Sequence, residues 1–450
     1  MNTPSLSSAV GWLSLGFALA GGAACSDAGA PPDTGTTPDA DASEPGDGDE
    51  PVEPQGPALV ERAPLDTTTC SETLAPMTPA LKDWVPLAAV ALDDAVWALQ
   101  AIFDAQSGAQ SLAIGRVERD GSLGARTALP SANVWSDVAL AALGQDLFAL
   151  WHDLVGRLTY AVVDATEGTI TTQGEVGASG LGALVVRDEA VFVVVGGGAG
   201  LEVRRSSGAE PAEPVTLDAA PGNVTALSAV ATPAGLAVAW SATGADPDAS
   251  DLWLQRADAT GAPVGGRLRV SPAPRAGHSY ADAFYGGSPK GAATLLAVGD
   301  DLWATYTDGW VDFNGVEGPA GYTGAIELYL AVVHADDRID RYPLDTPTVG
   351  RASGPASLFH VGSAVGASWA AGSTIFVCAG CFVDNDIHLL LLDPASLTPL
   401  AAPFVHAHRD HGVYRLRPVL VGDDVWTLAT QDFHGTPGWP ALAIASRGAR

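Results

Sequence analysis

From Leu87 onward one pattern keeps returning. A short run of small apolar residues meets a polar turn of two or three residues, then an apolar strand carrying an aromatic. The copies read AAVALDDAVWALQAIF (88–103), ALAALGQDLFALWHD (139–153), GALVVRDEAVFVVVGG (182–197), SAVATPAGLAVAWSA (228–242), TLLAVGDDLWATYTD (294–308), GASWAAGSTIFVCAG (366–380) and PVLVGDDVWTLATQD (418–432). Asp and Gly tolerate the positive φ that tight hairpins need, and the flanking apolar alternation marks strands. No long helical periodicity occurs after residue 24, so the folded part is expected to be all-β.

Most copies are followed by a second hairpin, such as SLAIGRVERDGSLGARTALP or LWLQRADATGAPVGGRLRVS. Two hairpins make a four-stranded sheet, and a fixed repeat of such sheets resembles the β-propellers over roughly residues 58–450. Small inner-strand residues (Ala, Gly, Val) suit strands crowded round an axis. The expectation is a seven-bladed β-propeller, with six or eight blades left open because copies four and five are stretched; two packed sandwiches are the plainer alternative. The last copy ends at WPALAIASRGAR, a third strand with nothing after it. Glu61-Arg62-Ala63-Pro64-Leu65-Asp66 matches the outer-strand text Asp340-Arg341-Tyr342-Pro343-Leu344-Asp345. The N-terminal segment is therefore expected to supply the missing outer strand and close the ring. No signature of a named propeller subfamily is present.

The N-terminus reads as an address. Residues 9–24 (AVGWLSLGFALAGGAA) form an apolar run shorter than the roughly 20 residues of a membrane span and fit a signal-peptide core. The run ends Gly22-Ala23-Ala24-Cys25, which resembles the bacterial lipobox. That resemblance implies cleavage before Cys25, a lipid on its thiol, and, with Ser26 next, sorting to the outer membrane; plain secretion is the alternative. Residues 25–57 are rich in Asp, Glu, Pro and Gly and carry almost no bulky apolar residue, so they are expected to form a disordered, self-repelling spacer. The expected organisation is a signal peptide over 1–24, a lipidated cysteine and acidic linker over 25–57, and the propeller over 58–450.

Charge restricts the partners. The chain carries 52 acids against 22 bases, a formal net charge of −30. Such a surface repels phosphate backbones and anionic headgroups, which argues against nucleic acid and limits membrane contact to the lipid anchor. A monomer that binds a protein, peptide or glycan is the expectation.

Two local strings could carry chemistry. His406, His408, Asp410 and His411 form a His-x-His-x-Asp-His string that resembles the metal-binding signature of metallo-β-lactamase-fold hydrolases. In extended backbone His406, His408 and Asp410 would point one way and could share zinc or another divalent metal. That family's αββα fold needs helices and further downstream ligands, whereas residues 412–450 read as a β-blade. A propeller-borne metal site and a solvated inter-blade loop are both left open; no other cofactor is implied. Cys378 and Cys381 form a Cys-x-x-Cys without the helix N-terminus that redox activity needs. In an oxidising compartment they are expected to pair with each other, or one of them with Cys70.

Loops joining second to third strands, and blade to blade, gather at one end of a propeller, and here they are the long ones. Tyr280, Tyr285, Asp308, Trp310, Asp312, Asp384 and Asp386 place aromatic rings beside carboxylates on these loops, a composition suited to sugars or basic peptides. Plain tolerance of insertion explains the same loops. Neither a Gly-x-Ser-x-Gly elbow nor a phosphate-binding Gly-rich loop is present. The sequence therefore favours an envelope-tethered, non-enzymatic binding or scaffold propeller. An exported metal-dependent hydrolase or lyase using the His406, His408, Asp410 and His411 string is one alternative, and an outer-membrane assembly factor the other.

Overall fold

The computed structural model describes residues 59–63, 74–77, 84–103, 110–118, 122–130, 138–177, 180–197, 200–206, 212–243, 250–272, 294–313, 322–345, 351–353, 356–373, 385–400, 404–406, 412–422, 424–433 and 436–447. The lipobox resemblance at Cys25, the acidic linker, Cys70, and the Cys378 and Cys381 pair lie outside them.

Two short strands, β1 (Leu59–Glu61) and β2 (Leu74–Met77), come before the first sheet. That sheet holds β3 (Trp84–Leu92), β4 (Ala95–Phe103), β5 (Gln110–Val117) and β6 (Leu123–Leu129). The second holds β7 (Ala139–Leu143), β8 (Asp146–His152), β9 (Leu158–Asp164) and β10 (Thr169–Gly177). The third holds β11 (Leu181–Arg187), β12 (Ala190–Gly197), β13 (Gly200–Ser206) and β14 (Val215–Asp218). The fourth holds β15 (Asn223–Ala231), β16 (Gly235–Thr243), β17 (Ser250–Asp258) and β18 (Pro263–Arg269).

The fifth sheet is ten-stranded. It contains β1 together with β19 (Thr294–Val298), β20 (Asp301–Phe313), β21 (Tyr322–Val333), β22 (Ile339–Asp345) and β23 (Arg351–Ser353). It continues through β24 (Ser357–Val361), β25 (Ala364–Ser373), β26 (Asn385–Leu392) and β27 (Phe404–His406). The last sheet is β28 (Gly412–Val421), β29 (Asp424–Phe433) and β30 (Thr436–Arg447), with β2 on its outer edge.

The seven-bladed expectation is thereby corrected. The described strands make six hydrogen-bonded sheets, a six-bladed β-propeller, because β19 and β20 of the copy at 294–308 share one sheet with β25, which carries residues 366–373 of the next copy. The link is β23, which pairs in parallel with β21 at Ile326↔Ala352 and antiparallel with β25 from Arg351↔Ser373 to Ser353↔Ala371.

The predicted closure is corrected too. Glu61 and its neighbours do not pair with the last sheet; β1 lies parallel to β22, with Leu59↔Ile339, Val60↔Asp340 and Glu61↔Arg341 in register. The two look-alike segments are partners in one ladder rather than copies of one strand. A different segment, β2, pairs with β30 from Leu74↔Arg447 to Met77↔Ile444. None of the six sheets closes on itself through hydrogen bonds, so the topology is open. The last sheet meets the first through side chains, with Val96, Ala98 and Val117 packed against Val419, Trp426 and Leu428.

The first hairpin of each sheet turns as its sequence requires. Asp93 (φ 53°) and Asp188 (φ 54°) take the left-handed conformation that a two-residue hairpin needs and that Asp tolerates. Between sheets the core is built of whole apolar faces. Leu147, Ala149 and Trp151 of the second sheet pack on Leu99, Leu112 and Ile114 of the first. Leu236, Val238 and Trp240 of the fourth pack on Phe192 and Val194 of the third. Each such large side chain removed from water contributes roughly 1.5–3 kcal/mol, and Trp240 also donates its buried indole N–H to Pro221 O at 3.2 Å.

Candidate functional site

Within the ten-stranded sheet one hairpin outgrows its neighbours. The ladder between β20 and β21 runs unbroken from Leu302↔Val333 to Phe313↔Tyr322. On one side β19 accompanies β20 only as far as Thr294↔Thr305; on the other β22 leaves β21 at Leu328↔Asp345. Residues 309–313 and 322–326 thus continue as a two-stranded arm, touched on its β21 edge by β23. It projects at the end where second strands hand over to third strands, the expected long-loop end.

The root of the arm is built from charge and rings. Asp308, the last blade residue of β20, accepts a hydrogen bond from Arg341 Nη2 at 3.1 Å, and the two side chains are only 7% and 5% exposed. The Arg341 guanidinium lies 3.5 Å from the centre of the Tyr329 ring, within cation–π distance, and Tyr306 stacks on Tyr329 at 5.8 Å. Tyr329 donates its hydroxyl to Glu327. Burial, reinforced by that acidic acceptor and only partly opposed by Arg341, pushes the Tyr329 phenol well above its usual range. The phenol therefore stays neutral and Arg341 stays paired, so the cluster fixes the hairpin where it leaves the sheet.

Gly309 follows at once with φ 121°, and a Cβ there would stand 2.2 Å from Ala325 O. Only glycine lets the strand bend into the arm at this close approach.

The predicted ligand-binding residues fall in several places. Asp308 is not on a loop; it is buried in β20. Trp310 and Asp312 lie on the same strand, at alternate positions in the arm, paired through the backbone with Ala325 and Thr323. Asp386 is in β26, opposite Ala371, and His406 is in β27, opposite Ile387. Tyr280, Tyr285, Asp384, His408, Asp410 and His411 lie outside the described residues. Among the described residues no group of three or more His, Cys, Asp or Glu could hold a metal.

At the same end, the turn between β8 and β9 presents Leu154 and Val155, 73% and 75% exposed. Asp153 holds that tip rigid: its carboxylate accepts from the backbone N–H of Val155 and Arg157, each at 2.9 Å, and from Arg157 Nε at 2.9 Å. Backbone hydrogen bonding from Arg157 outweighs the opposing effect of desolvation and keeps the Asp153 carboxyl below its ordinary range. Two apolar side chains are thus offered to the surroundings on a fixed support.

A second polar cluster ties β1 to the sheet. Arg62 donates to both carboxylate oxygens of Asp340, at 3.0 and 3.1 Å, and its backbone N–H reaches Arg341 O at 2.9 Å. Asp340 also accepts from Arg338 Nη1 at 2.6 Å, and His334 lies between Asp340 (3.2 Å) and Asp301 (3.0 Å). Burial alone would raise the Asp340 carboxyl; the bonds from Arg338, His334 and Arg62 overcome it and hold the group below its ordinary value.

Sequence reasoning missed a recurring device. Asp164, Asp258 and Asp393 each end or follow a third strand and turn the carboxylate back to accept backbone N–H groups two or more residues ahead, as in Thr166, Thr260 and Ala395. The signal was present in VVDATEG, RADATGA and LLDPASL. Part of the acidic composition therefore caps turns.

No family model matches the chain, and no curated protein matches it. Among solved structures, BamB from Moraxella catarrhalis is similar at 13% identity over 82% of this chain and 100% of that one, with a TM-score of 0.40. The hydrazine synthase of Kuenenia stuttgartiensis is similar at 13% identity over 83% and 97%, TM-score 0.47. The β-propeller domain of the Trilobed protease from Pyrococcus furiosus is similar at 9% identity over 82% and 96%, TM-score 0.43. By its own sheets, the chain is an all-β, six-bladed propeller that matches no named subfamily.

Proposed function

We propose that this is an envelope-tethered, non-catalytic binding propeller that holds another envelope protein at its long-loop end, in the manner of an assembly scaffold. The observation that carries the reading is the β20–β21 arm. Among the described residues, 309–313 have no ladder partner on the side away from β21. An isolated two-stranded ribbon is marginally stable in water, and an open strand edge is a template for a partner's strand. The rigid root of Asp308 and Arg341 holds that edge in place, and the exposed Leu154 and Val155 add an apolar contact at the same end. The lipobox resemblance at Cys25 and the acidic segment after it supply the tether in this reading.

A photo-crosslinking residue at Val311, introduced into the full chain in cells, tests it. The expected result is one discrete product containing an envelope protein, lost on Asp312→Pro while the melting temperature holds. A chain that yields no product at Val311, or the same product with Asp312→Pro, would overturn the reading.

A further inference from the structure

The strand β1 lies on the outer edge of the fifth sheet, beyond β22, and little holds it there. Its ladder is parallel and covers only Leu59↔Ile339, Val60↔Asp340 and Glu61↔Arg341. Parallel pairing is the weaker kind per residue, and a strand this short adds few backbone hydrogen bonds. Past the ladder the Arg62 N–H donates to Arg341 O at 2.9 Å. Pro343, two residues on along the same edge, has no N–H to offer, so the edge is blunted there. What singles out this stretch of edge is a side chain. Both carboxylate oxygens of Asp340 accept from Arg62 Nη2, at 3.0 and 3.1 Å.

Asp340 does not depend on β1 for its position. Its side chain is only 6% exposed, whereas that of Arg62 is 43% exposed. Arg338 Nη1 donates to it at 2.6 Å, and His334 Nε2 stands 3.2 Å away. Asp301 holds the other side of that imidazole, 3.0 Å from Nδ1. These neighbours come from β20 and the β21–β22 turn of the same sheet. With Arg62 withdrawn, a buried carboxylate still faces the edge, short of one guanidinium. A fixed carboxylate beside open backbone groups suits an extended segment that carries an arginine.

We propose that the Ile339–Arg341 edge of β22 is a strand-binding site that residues 59–62 occupy in cis, and that its trans ligand is an extended segment of another protein with an arginine set against Asp340. Residues 59–62 are then an autoinhibitory occupant. The incoming strand repeats their backbone pairs and gives its guanidinium to Asp340 in a two-bonded contact, which arginine makes and lysine does not. Val60 is half-buried, which marks a place for an apolar residue two positions before the arginine. The formal charge of −30 draws basic segments and repels acidic ones. A linked occupant competes at high effective concentration, so the site takes a partner only when β1 lets go. The strand β22 is not part of the arm, and the two sites stand or fall separately.

Fluorescence anisotropy with a labelled, capped peptide of residues 57–66 (PALVERAPLD) tests the assignment on the full chain. Arg62→Ala loosens the cis strand. It should leave the melting temperature nearly unchanged and bind the peptide at least about tenfold more tightly than the wild-type chain does. Adding Asp340→Asn to that variant should abolish the gain. A peptide with lysine in place of its arginine should bind Arg62→Ala more weakly, which reads the same contact without altering the sheet. No binding to Arg62→Ala, equal binding by the wild-type chain, or equal binding of the lysine peptide would overturn the proposal. A wild-type chain that sediments as a dimer, and as a monomer with Arg62→Ala, would give the site to a second copy and overturn the assignment to another protein.

Discussion

Asp308 and Arg341 form an ion pair across two strands of one sheet, with both side chains withdrawn from water and the guanidinium laid over Tyr329. A buried pair of this kind is costly to break from one side. The remaining charge keeps its desolvation penalty and loses its compensation, at about 3–5 kcal/mol. Asp308→Ala should therefore lower the melting temperature sharply. The double change Asp308→Leu with Arg341→Met should recover most of the loss. A double variant no better than the single one, in the same thermal scan, would count against the pair as the cause.

Gly309→Ala tests the bend at the root of the arm. The added Cβ meets a backbone carbonyl that cannot move without breaking the ladder. The expected outcome is a sheet that melts near the wild-type temperature and an arm that a protease cuts between residues 309 and 326. Wild-type resistance to limited proteolysis would refute it.

Acid should release β1. The Asp340 carboxyl is held below its ordinary value, so the folded state favours the charged form. The contribution of such a group is fully present above the ordinary aspartate value of about 4 and is lost as pH falls through the depressed one. Hydrogen exchange at the Arg62 amide, corrected for intrinsic rate, should be slow at neutral pH and accelerate below about pH 4. Asp340→Asn should show fast exchange at both pH values.

Gln100 is fully buried at the junction of the first and last sheets, and neither end of its amide has a partner among the described residues. Gln100→Met keeps the shape and removes the polar atoms, so the melting temperature should rise, by the equivalent of about 1–2 kcal/mol. A drop would mean that buried water pairs the amide in the native protein.

Much of this was legible in the sequence, and the failures share a cause. The hairpin at Asp93 and Asp94 could be read because its turn chemistry and flanking apolar residues are contiguous. The same holds for the hairpins at Asp188 and Asp301. What could not be read were pairings set by distant segments. Three residues of β23 fuse two repeats, and nothing in Arg351, Ala352 or Ser353 announces it. Glu61 and Arg62 look like a copy of Asp340 and Arg341, yet they lie beside them. By sequence Asp308 reads as a carboxylate of the long loop after the fifth copy, whereas it is buried in β20. Its partner Arg341 is on another strand, and only the fold brings the two together.

The fusion through β23 has a consequence for how this chain can be built and cut. In a string of separate repeats, any one might be deleted or exchanged, since each completes its own ladder. Here the described strands between Thr294 and His406 belong to a single sheet. A chain cut between Asp345 and Arg351 would part β21 from β23, the contact at Ile326↔Ala352 that joins the two halves, and synthesis must pass Ser353 before the first half has all its neighbours. The natural unit of this protein, for inheritance as for folding, is there two copies long.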